Sequence, residues 1–393
     1  MMQEGNQKHS QSTLGLYIHV PFCSSTCDFC AFYQERPSKK KIESYFIGLE
    51  EEIRQANLTK SIDTVFIGGG TPGILQPKEL ERICEVIRST GLSEQVEWTI
   101  ELAPNEVTTE KLSVLYDGGI NRVSLGVQTF DAGLMDALGR KHGPEKVYQA
   151  YDIIRNAGFK SVNLDLIFGI PHQTLTQWES DMTRAVELGP EHLSTYCLTF
   201  EEDTALYYRL AKGELSIDPE KEATFYEKAW EFLPGNGYAQ YEVSNFAREG
   251  HACVHNLNTW KMNQWVGLGP SACSQYQGKR WKNPSNLEQW ETGVRDGFSR
   301  DDYDEFQEIS DDTLAEDAIL FGLRMNQGIN LSEIANRFGL SKEYQNQLTQ
   351  FFEALGEEGL IKESGEWISC TEEGRIRADA IAAEIPVAEE MPV

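Results

Sequence analysis

The sequence predicts an α/β chain: a partial barrel of six βα units, then an irregular α+β segment, then a small C-terminal domain. Two observations predict it. Between Leu16 and Phe200, six short apolar runs alternate with longer segments of helical period, the pattern of a parallel sheet with crossover helices. Beyond Phe200 that rhythm stops, and from about Ser310 a compact helical pattern with a short hairpin takes over. The 393 residues allow two to three domains at roughly 150 residues each. They also suffice to bury a core without disulfides or a structural metal.

The strands are expected at 17–20, 64–67, 97–100, 122–125, 162–167 and 193–198. Five helices connect them. In one, Leu80, Ile83, Cys84 and Ile87 fall at i, i+3, i+4 and i+7; in another, Val147, Tyr151 and Ile154 share a face. Helices are expected near 204–212 and 219–233, followed by a stretch holding Trp230, Trp260, Trp265, Trp281 and Trp290. The final unit reads as helices at 312–325, 331–338 and 342–357, two short strands around Ile361 and Trp367, and a last helix. Three helices and a hairpin resemble a winged helix. The boundaries are 1–13 for a disordered start, 14–200 for the barrel, 201–309 for an extension, 310–383 for the C-terminal domain and 384–393 for a tail.

Composition narrows the function. Lys and Arg number 35 and Asp and Glu 62, a formal net charge of −27, which repels phosphate backbones and excludes a general nucleic-acid binder. The would-be recognition helix of the winged unit is not basic, so that unit is expected to pack or to bind a partner. From Glu291 to Asp317 the chain carries eleven acidic residues against two Arg, the mark of a solvated connecting segment. No apolar run approaches the ~20 residues that span a bilayer, and Met1 to Thr13 lack an apolar signal core. A cytosolic protein is expected, and there eight cysteines call for a role other than disulfides.

Three cysteines supply it. Cys23-Ser24-Ser25-Thr26-Cys27-Asp28-Phe29-Cys30 spells C-x3-C-x2-C just after the first strand. Three thiolates on one loop suit a [4Fe–4S] cluster whose fourth iron stays open for an outside ligand. The alternative is zinc, with His19 as fourth ligand, although zinc cysteines usually come as separated pairs. Polar and glycine-rich residues follow the other strands as well: Gly68-Gly69-Gly70-Thr71-Pro72, Glu101, Gln128 and Asp165. At the C-terminal ends of barrel strands such residues form one rim, where barrel chemistry gathers.

C-x3-C-x-aromatic-C resembles the signature of the radical S-adenosylmethionine (SAM) enzymes, with Phe29 as the aromatic residue that abuts adenine. The resemblance implies a partial (β/α)6 barrel in which SAM chelates the open iron and is cleaved by an electron from the cluster. Tyr17-Ile18-His19-Val20-Pro21-Phe22-Cys23, Gly69-Gly70-Thr71-Pro72, Gly126-Val127-Gln128, Leu138-Gly139-Arg140 and Asp165-Leu166-Ile167-Phe168-Gly169-Ile170-Pro171 are similar to the oxygen-independent coproporphyrinogen III oxidase branch. Carried over, Tyr17, Gly69, Gly70, Thr71, Glu101, Gln128, Arg140 and Asp165 would line the SAM pocket. Glycines admit close backbone approach. Glu101 would take the amino group, Arg140 the carboxylate and Asp165 the ribose hydroxyls.

That branch holds oxidases and heme chaperones. The oxidases resemble C-x3-C-x2-C-x-C, and the last position here is Phe32, which points to the chaperone (HemW-like) group. The chaperone pattern His-Asn-x-x-Tyr-Trp is matched by His255-Asn256-Leu257-Asn258-Thr259-Trp260, with Thr259 replacing tyrosine. The resemblance implies heme held by His255 against Trp260 and Trp265, an acceptor protein for that heme, and an electron donor for the cluster. Coproporphyrinogen III oxidation is the alternative, and a zinc-binding adaptor without redox chemistry is a third class. Cys273, near the tryptophans, is a further thiol beside the pattern.

Overall fold

A computed structural model describes residues 13–140 and 142–387. The start expected to be disordered and the tail lie outside these residues, except for Thr13 and 384–387. Six parallel strands make the barrel wall: β1 (Leu14–Val20), β2 (Ile62–Gly69), β3 (Leu92–Leu102), β4 (Arg122–Gln128), β5 (Ser161–Phe168) and β6 (His192–Cys197), each paired with the next. They are joined by α1 (Lys39–Ala56), α2 (Pro77–Arg88), α3 (Thr109–Gly118), α4 (Ala132–Ala137), α5 (Pro144–Asn156) and α6 (Leu175–Leu188). The connection from β4 to β5 takes two helices where one was expected. Gly139, at φ +72°, turns the chain between them.

Strand alternation divides the side chains in two. Leu14, Leu16, Ile18 and Val20 of β1 are fully buried in the main core, together with Tyr45, Leu49, Leu80, Ile83, Cys84, Ile87, Val147, Tyr151 and Ile154 of the helices. Each such side chain contributes about 1.5–3 kcal/mol. The intervening residues face the lumen, and they are polar or small: Gly15, Tyr17 and His19 on β1, and Ser124, Asn163, Asp165, His192 and Ser194 on β4 to β6.

After β6 come α7 (Ala205–Ala211), α8 (Pro219–Gly235), β7 (Ala239–Gln240), β8 (Asn245–Ala247), α9 (Val254–Trp260), β9 (Gln264–Leu268), β10 (Cys273–Tyr276), β11 (Lys279–Lys282), α10 (Leu287–Asp296) and β12 (Glu305–Glu308). This segment holds more strand than its sequence announces. β9 runs parallel to β1 and extends the wall, with β10, β11 and β12 beyond it, while β8 pairs antiparallel with β6 and β7 follows. The sheet stays open between β12 and β7.

The C-terminal unit comprises α11 (Asp311–Gly322), α12 (Leu331–Phe338), α13 (Lys342–Glu357), the hairpin β13 (Ile361–Ser364) and β14 (Trp367–Cys370), α14 (Glu372–Ile376) and α15 (Ala378–Ala383). Its helices and hairpin enclose a separate core around Ile319, Phe338, Tyr344, Leu348 and Phe352. The helix expected to reach residue 325 stops at Gly322, where Ile329 packs against the bare Cα. Arg337 of α12 reaches back to the turn after α9, donating to the carbonyls of Lys261 (2.8 Å) and Met262 (2.7 Å) and to Asn263 Oδ1 (3.2 Å). Among the described residues, no helix is long and apolar enough to cross a membrane.

Candidate functional site

Three loops meet at the C-terminal rim. The cysteine loop is fastened by Cys23 N–H to the Glu35 carbonyl (3.0 Å), Asp28 N–H to the Leu138 carbonyl (3.2 Å) and Leu206 N–H to the Asp28 carbonyl (3.0 Å). The glycine loop after β2 is stitched to it, because Gly70 N–H donates to the Val20 carbonyl and Thr71 N–H to the Phe22 carbonyl, both at 2.8 Å. A Cβ on Gly70 would lie 2.8 Å from the Phe22 oxygen, so only glycine permits the approach. Thr71 Oγ1 and Cys23 Sγ are 3.2 Å apart, and Gln34 Nε2 donates to Cys30 Sγ at 2.9 Å. Cys23 is buried while Cys27 and Cys30 are partly exposed. Burial, and less strongly the neighbouring thiols, raise the Cys23 thiol above its ordinary range. Among the described residues no three His, Cys, Asp or Glu side chains close around a point as a finished cage. The thiols share one pinned loop and interact electrostatically, a donor set that fits an iron–sulfur cluster.

His19 does not join them. Its Nε2–H donates to the Tyr33 carbonyl (3.3 Å), which leaves Nδ1 to accept from the Tyr17 hydroxyl (3.2 Å). Burial lowers its pKa to about 4. With both ring nitrogens engaged, the zinc alternative loses its fourth ligand. The ring packs instead under Gly69, where φ is +102° and a Cβ would lie 2.7 Å from the imidazole, so no side chain fits.

Below the rim, Glu101 on β3 and Asp165 on β5 stand two strands apart on one wall. Burial first, and the Asp165 charge second, push Glu101 up to about 8, against the pull of the Gly69 N–H. Gly68 stands so close to Glu101 that a Cβ would meet Oε2 at 2.7 Å. Asp165 is likewise raised by burial, and opposed by Ser124 Oγ, which donates to Oδ2 (2.7 Å), and Asn163 Nδ2, which donates to Oδ1 (2.8 Å). Two buried acids at one place suit a ligand that carries cationic and hydroxyl groups. Gln128 ends β4 in the left-handed region at φ +70°, beside a bulge in the β4–β5 register, and lies near Gly126 and the Arg140 guanidinium. Backbone strain of this kind gathers at functional sites. The Arg140 guanidinium sits 5.6 Å from the centre of the Phe29 ring, and its buried Nε has no hydrogen-bond partner among the described residues. Phe29 packs against a small apolar cluster of Leu134, Leu138, Ile167, Ile170, Leu198 and Leu206.

The structure thus brings Tyr17, Cys23, Cys27, Cys30, Phe29, Gly69, Gly70, Thr71, Glu101, Gln128, Arg140 and Asp165 to one rim and lumen. His255 is elsewhere. It lies in the first turn of α9, buried at the base of the barrel, with Nδ1 2.9 Å from Thr64 Oγ1, its ring 5.3 Å from that of Phe66, and its backbone N–H donating to Glu97 Oε1 (2.9 Å). Burial lowers its pKa to about 4. The last turn of the same helix opens on a cleft of 270 Å³ lined by Thr259, Trp260, Met262, Trp265, Arg280 and Phe321. Trp265 pairs with Gly15 at the start of β1, so the cleft lies roughly 17 Å of strand below the rim. Cys273 is exposed next to it, and its carbonyl accepts from Trp265 Nε1 at 3.0 Å.

Some residues escaped sequence reasoning. Phe321 comes from the C-terminal unit, and nothing near it in sequence marks it as a cleft wall. Tyr196 occupies a lumen position of β6, two residues after Ser194, yet remains 40% exposed, so the lumen is open beside it. Alternation along β6 was the signal for it.

The chain matches the radical SAM superfamily over residues 17–185 and the HemN C-terminal domain over residues 309–377. It is 32% identical over 373 residues to the heme chaperone HemW of Bacillus subtilis, covering 93% of this chain and 97% of that one. The chain belongs to the HemW family. To the HemW of Lactococcus lactis it is 33% identical, covering 85% of this chain and 88% of that one. Among solved structures it resembles coproporphyrinogen III oxidase (HemN) of Escherichia coli, with a TM-score of 0.81, 23% identity and coverage of 95% and 89%. That likeness shows the fold, a partial radical SAM barrel with its C-terminal domain.

Proposed function

We propose that this chain is a heme chaperone: it binds heme at the base of its barrel and hands it to an acceptor protein. Cys23, Cys27 and Cys30 would hold a [4Fe–4S] cluster at the rim, with SAM beside it. Together they would supply one-electron chemistry, with a donor protein as the source of the electron. Tyr17, Phe29, Gly69, Gly70, Thr71, Glu101, Gln128, Arg140 and Asp165 hold SAM. The eight cysteines are all free thiols, consistent with a cytosolic protein.

One observation carries the choice of chaperone over oxidase. An oxidase must bring its porphyrinogen to the SAM pocket, but the tryptophan cleft lies at the opposite end of the barrel from the cysteines. Trp260, Trp265 and Phe321 offer flat apolar surface for a macrocycle, and Arg280 offers a cation for a propionate. His255, on the same helix, is the proposed axial ligand through Nε2, with Thr64 Oγ1 on its Nδ1. The test is anaerobic and has two arms. Heme titration should saturate near about one heme per chain, and coproporphyrinogen III should yield no protoporphyrinogen IX. Turnover of coproporphyrinogen III would assign the protein to the oxidases, and absence of heme binding would leave neither role supported.

A further inference from the structure

The lumen below Asp165 contains a buried hydrogen-bond chain that runs from the N-cap of α9 to the carboxylate. It begins at the N-cap of α9, where the Cys253 N–H donates to the Tyr241 hydroxyl at 3.3 Å. Tyr241 Oη lies 2.8 Å from His192 Nε2, and His192 Nδ1 lies 2.6 Å from Asn163 Oδ1. Asn163 Nδ2 donates to Asp165 Oδ1 and to Ser124 Oγ, each at 2.8 Å, and Ser124 Oγ donates to Asp165 Oδ2 at 2.7 Å. His192 is fully buried, and burial with the nearby Arg122 charge holds it well below its ordinary pKa, so it carries one ring proton.

The orientation of Asn163 decides what Asp165 meets. With its oxygen toward His192, the amide presents two N–H groups to the carboxylate and to Ser124. Flipped, it would present a lone pair to a carboxylate oxygen 2.8 Å away. An amide oxygen beside a histidine is stable only if that nitrogen carries the proton, and it does when the other nitrogen accepts from Tyr241. The tautomer of one ring, together with Ser194 Oγ donating to the same amide oxygen at 3.1 Å, therefore fixes the amide of Asn163, and the amide aims the carboxylate.

We infer that His192, locked as its Nδ1–H tautomer by Tyr241, is a positioning residue that orients Asp165 through Asn163 for the hydroxyls of its ligand. This rests on the assignment of Asp165 to the SAM ribose. The ligand class is a vicinal diol, since Ser124, Asn163 and Ser194 act on the carboxylate from β4, β5 and β6 and its other lone pairs remain for donors from the lumen.

Two measurements on the reconstituted holoprotein test it. In the first, SAM and S-adenosylhomocysteine binding is measured by calorimetry. His192→Leu should weaken both about tenfold, while His192→Asn, which keeps a donor toward Asn163, should recover most of the loss. Asp165→Ala separates the two ideas. If that variant binds normally, the ribose assignment is wrong; if it binds weakly while His192→Leu binds normally, the positioning role is wrong. The second measurement is ¹⁵N NMR of the wild-type histidines, which needs no variant to fold. A neutral ring protonated on Nδ1 is expected for His192, changing in Tyr241→Phe. A ring protonated on Nε2 would overturn the chain's direction and the inference with it.

Discussion

Thr64 Oγ1 and His255 Nδ1 are 2.9 Å apart, which ties the first turn of α9 to the second barrel strand and keeps the imidazole inside the base. A histidine so held can still offer Nε2 to iron, since a ligating imidazole keeps its other nitrogen on a hydrogen-bond partner. Thr64→Val should therefore weaken heme binding, by about fivefold for one lost hydrogen bond. Spectrophotometric titration measures it, with His255→Ala as the reference. Equal affinity in Thr64→Val and wild type would mean that His255 only packs.

The three cysteines should behave as one unit. Cys27 is partly exposed and its side chain holds no part of the core, so Cys27→Ser should fold normally. Anaerobic reconstitution should load about four iron per wild-type chain and far less in the variant. Iron and sulfide assays with absorption spectra decide it, and full loading of Cys27→Ser would remove Cys27 from the ligand set.

Gly70→Ala should damage the rim from a distance. The new Cβ would press on the Phe22 oxygen at 2.8 Å and on backbone at Pro21, neither of which can swing away as a flexible side chain would. The cost should be about 2 kcal/mol of stability, together with poorer cluster loading, because the glycine loop and the cysteine loop share those hydrogen bonds. Thermal melts and iron content would show both changes together.

Glu52 of α1 gives a pH dependence with a definite sign. Its buried carboxyl accepts from Gly269 N–H (2.7 Å) and Asn283 Nδ2 (2.7 Å), tying α1 to the loop after β9. Burial outweighs these bonds and raises its pKa from 4.5 to about 7. The folded state keeps a proton that the unfolded chain has already released, so this group's stability is full below 4.5 and is lost as pH rises through about 7. Denaturant unfolding should show a decline of about 3 kcal/mol across that window, and the decline should shrink in Glu52→Gln. An identical slope in both proteins would clear Glu52 of the effect.

Arg337 reaches from the C-terminal unit to the turn joining Trp260 and Trp265. Arg337→Met should release that turn, which contains Met262 at φ +50°, and raise amide exchange there about tenfold. Hydrogen-exchange mass spectrometry would localise the change. If exchange rose equally throughout the C-terminal core, Arg337 would matter for the fold of that unit and not for the cleft.

The barrel was legible because its strands bury one face completely: Leu14, Leu16, Ile18 and Val20 alternate with lumen residues, and the period survives in the sequence. The cysteine loop was legible because thiolate spacing is local. Strands β9 to β12 were not, since Gln264, Trp265, Arg280 and Trp281 lack apolar alternation and become strand only by pairing with β1 or with one another. Nor was the place of His255 legible. Its motif is continuous in sequence, but α9 turns it inward toward Thr64, 191 residues earlier, while Thr259 and Trp260 face the cleft. Membership of a motif does not mean a shared surface.

The roughly five strand residues between Gly15 and the rim have a consequence for how the protein is loaded. On the proposed assignment, cargo and cofactor occupy separate volumes at opposite ends of one wall. Filling either excludes nothing at the other, so loading follows no compulsory order and the two ligands do not compete. A chain stripped of its iron by oxygen keeps its berth for cargo, and a chain that has delivered its cargo keeps its cluster. Carriage and redox chemistry can then be interrupted one at a time.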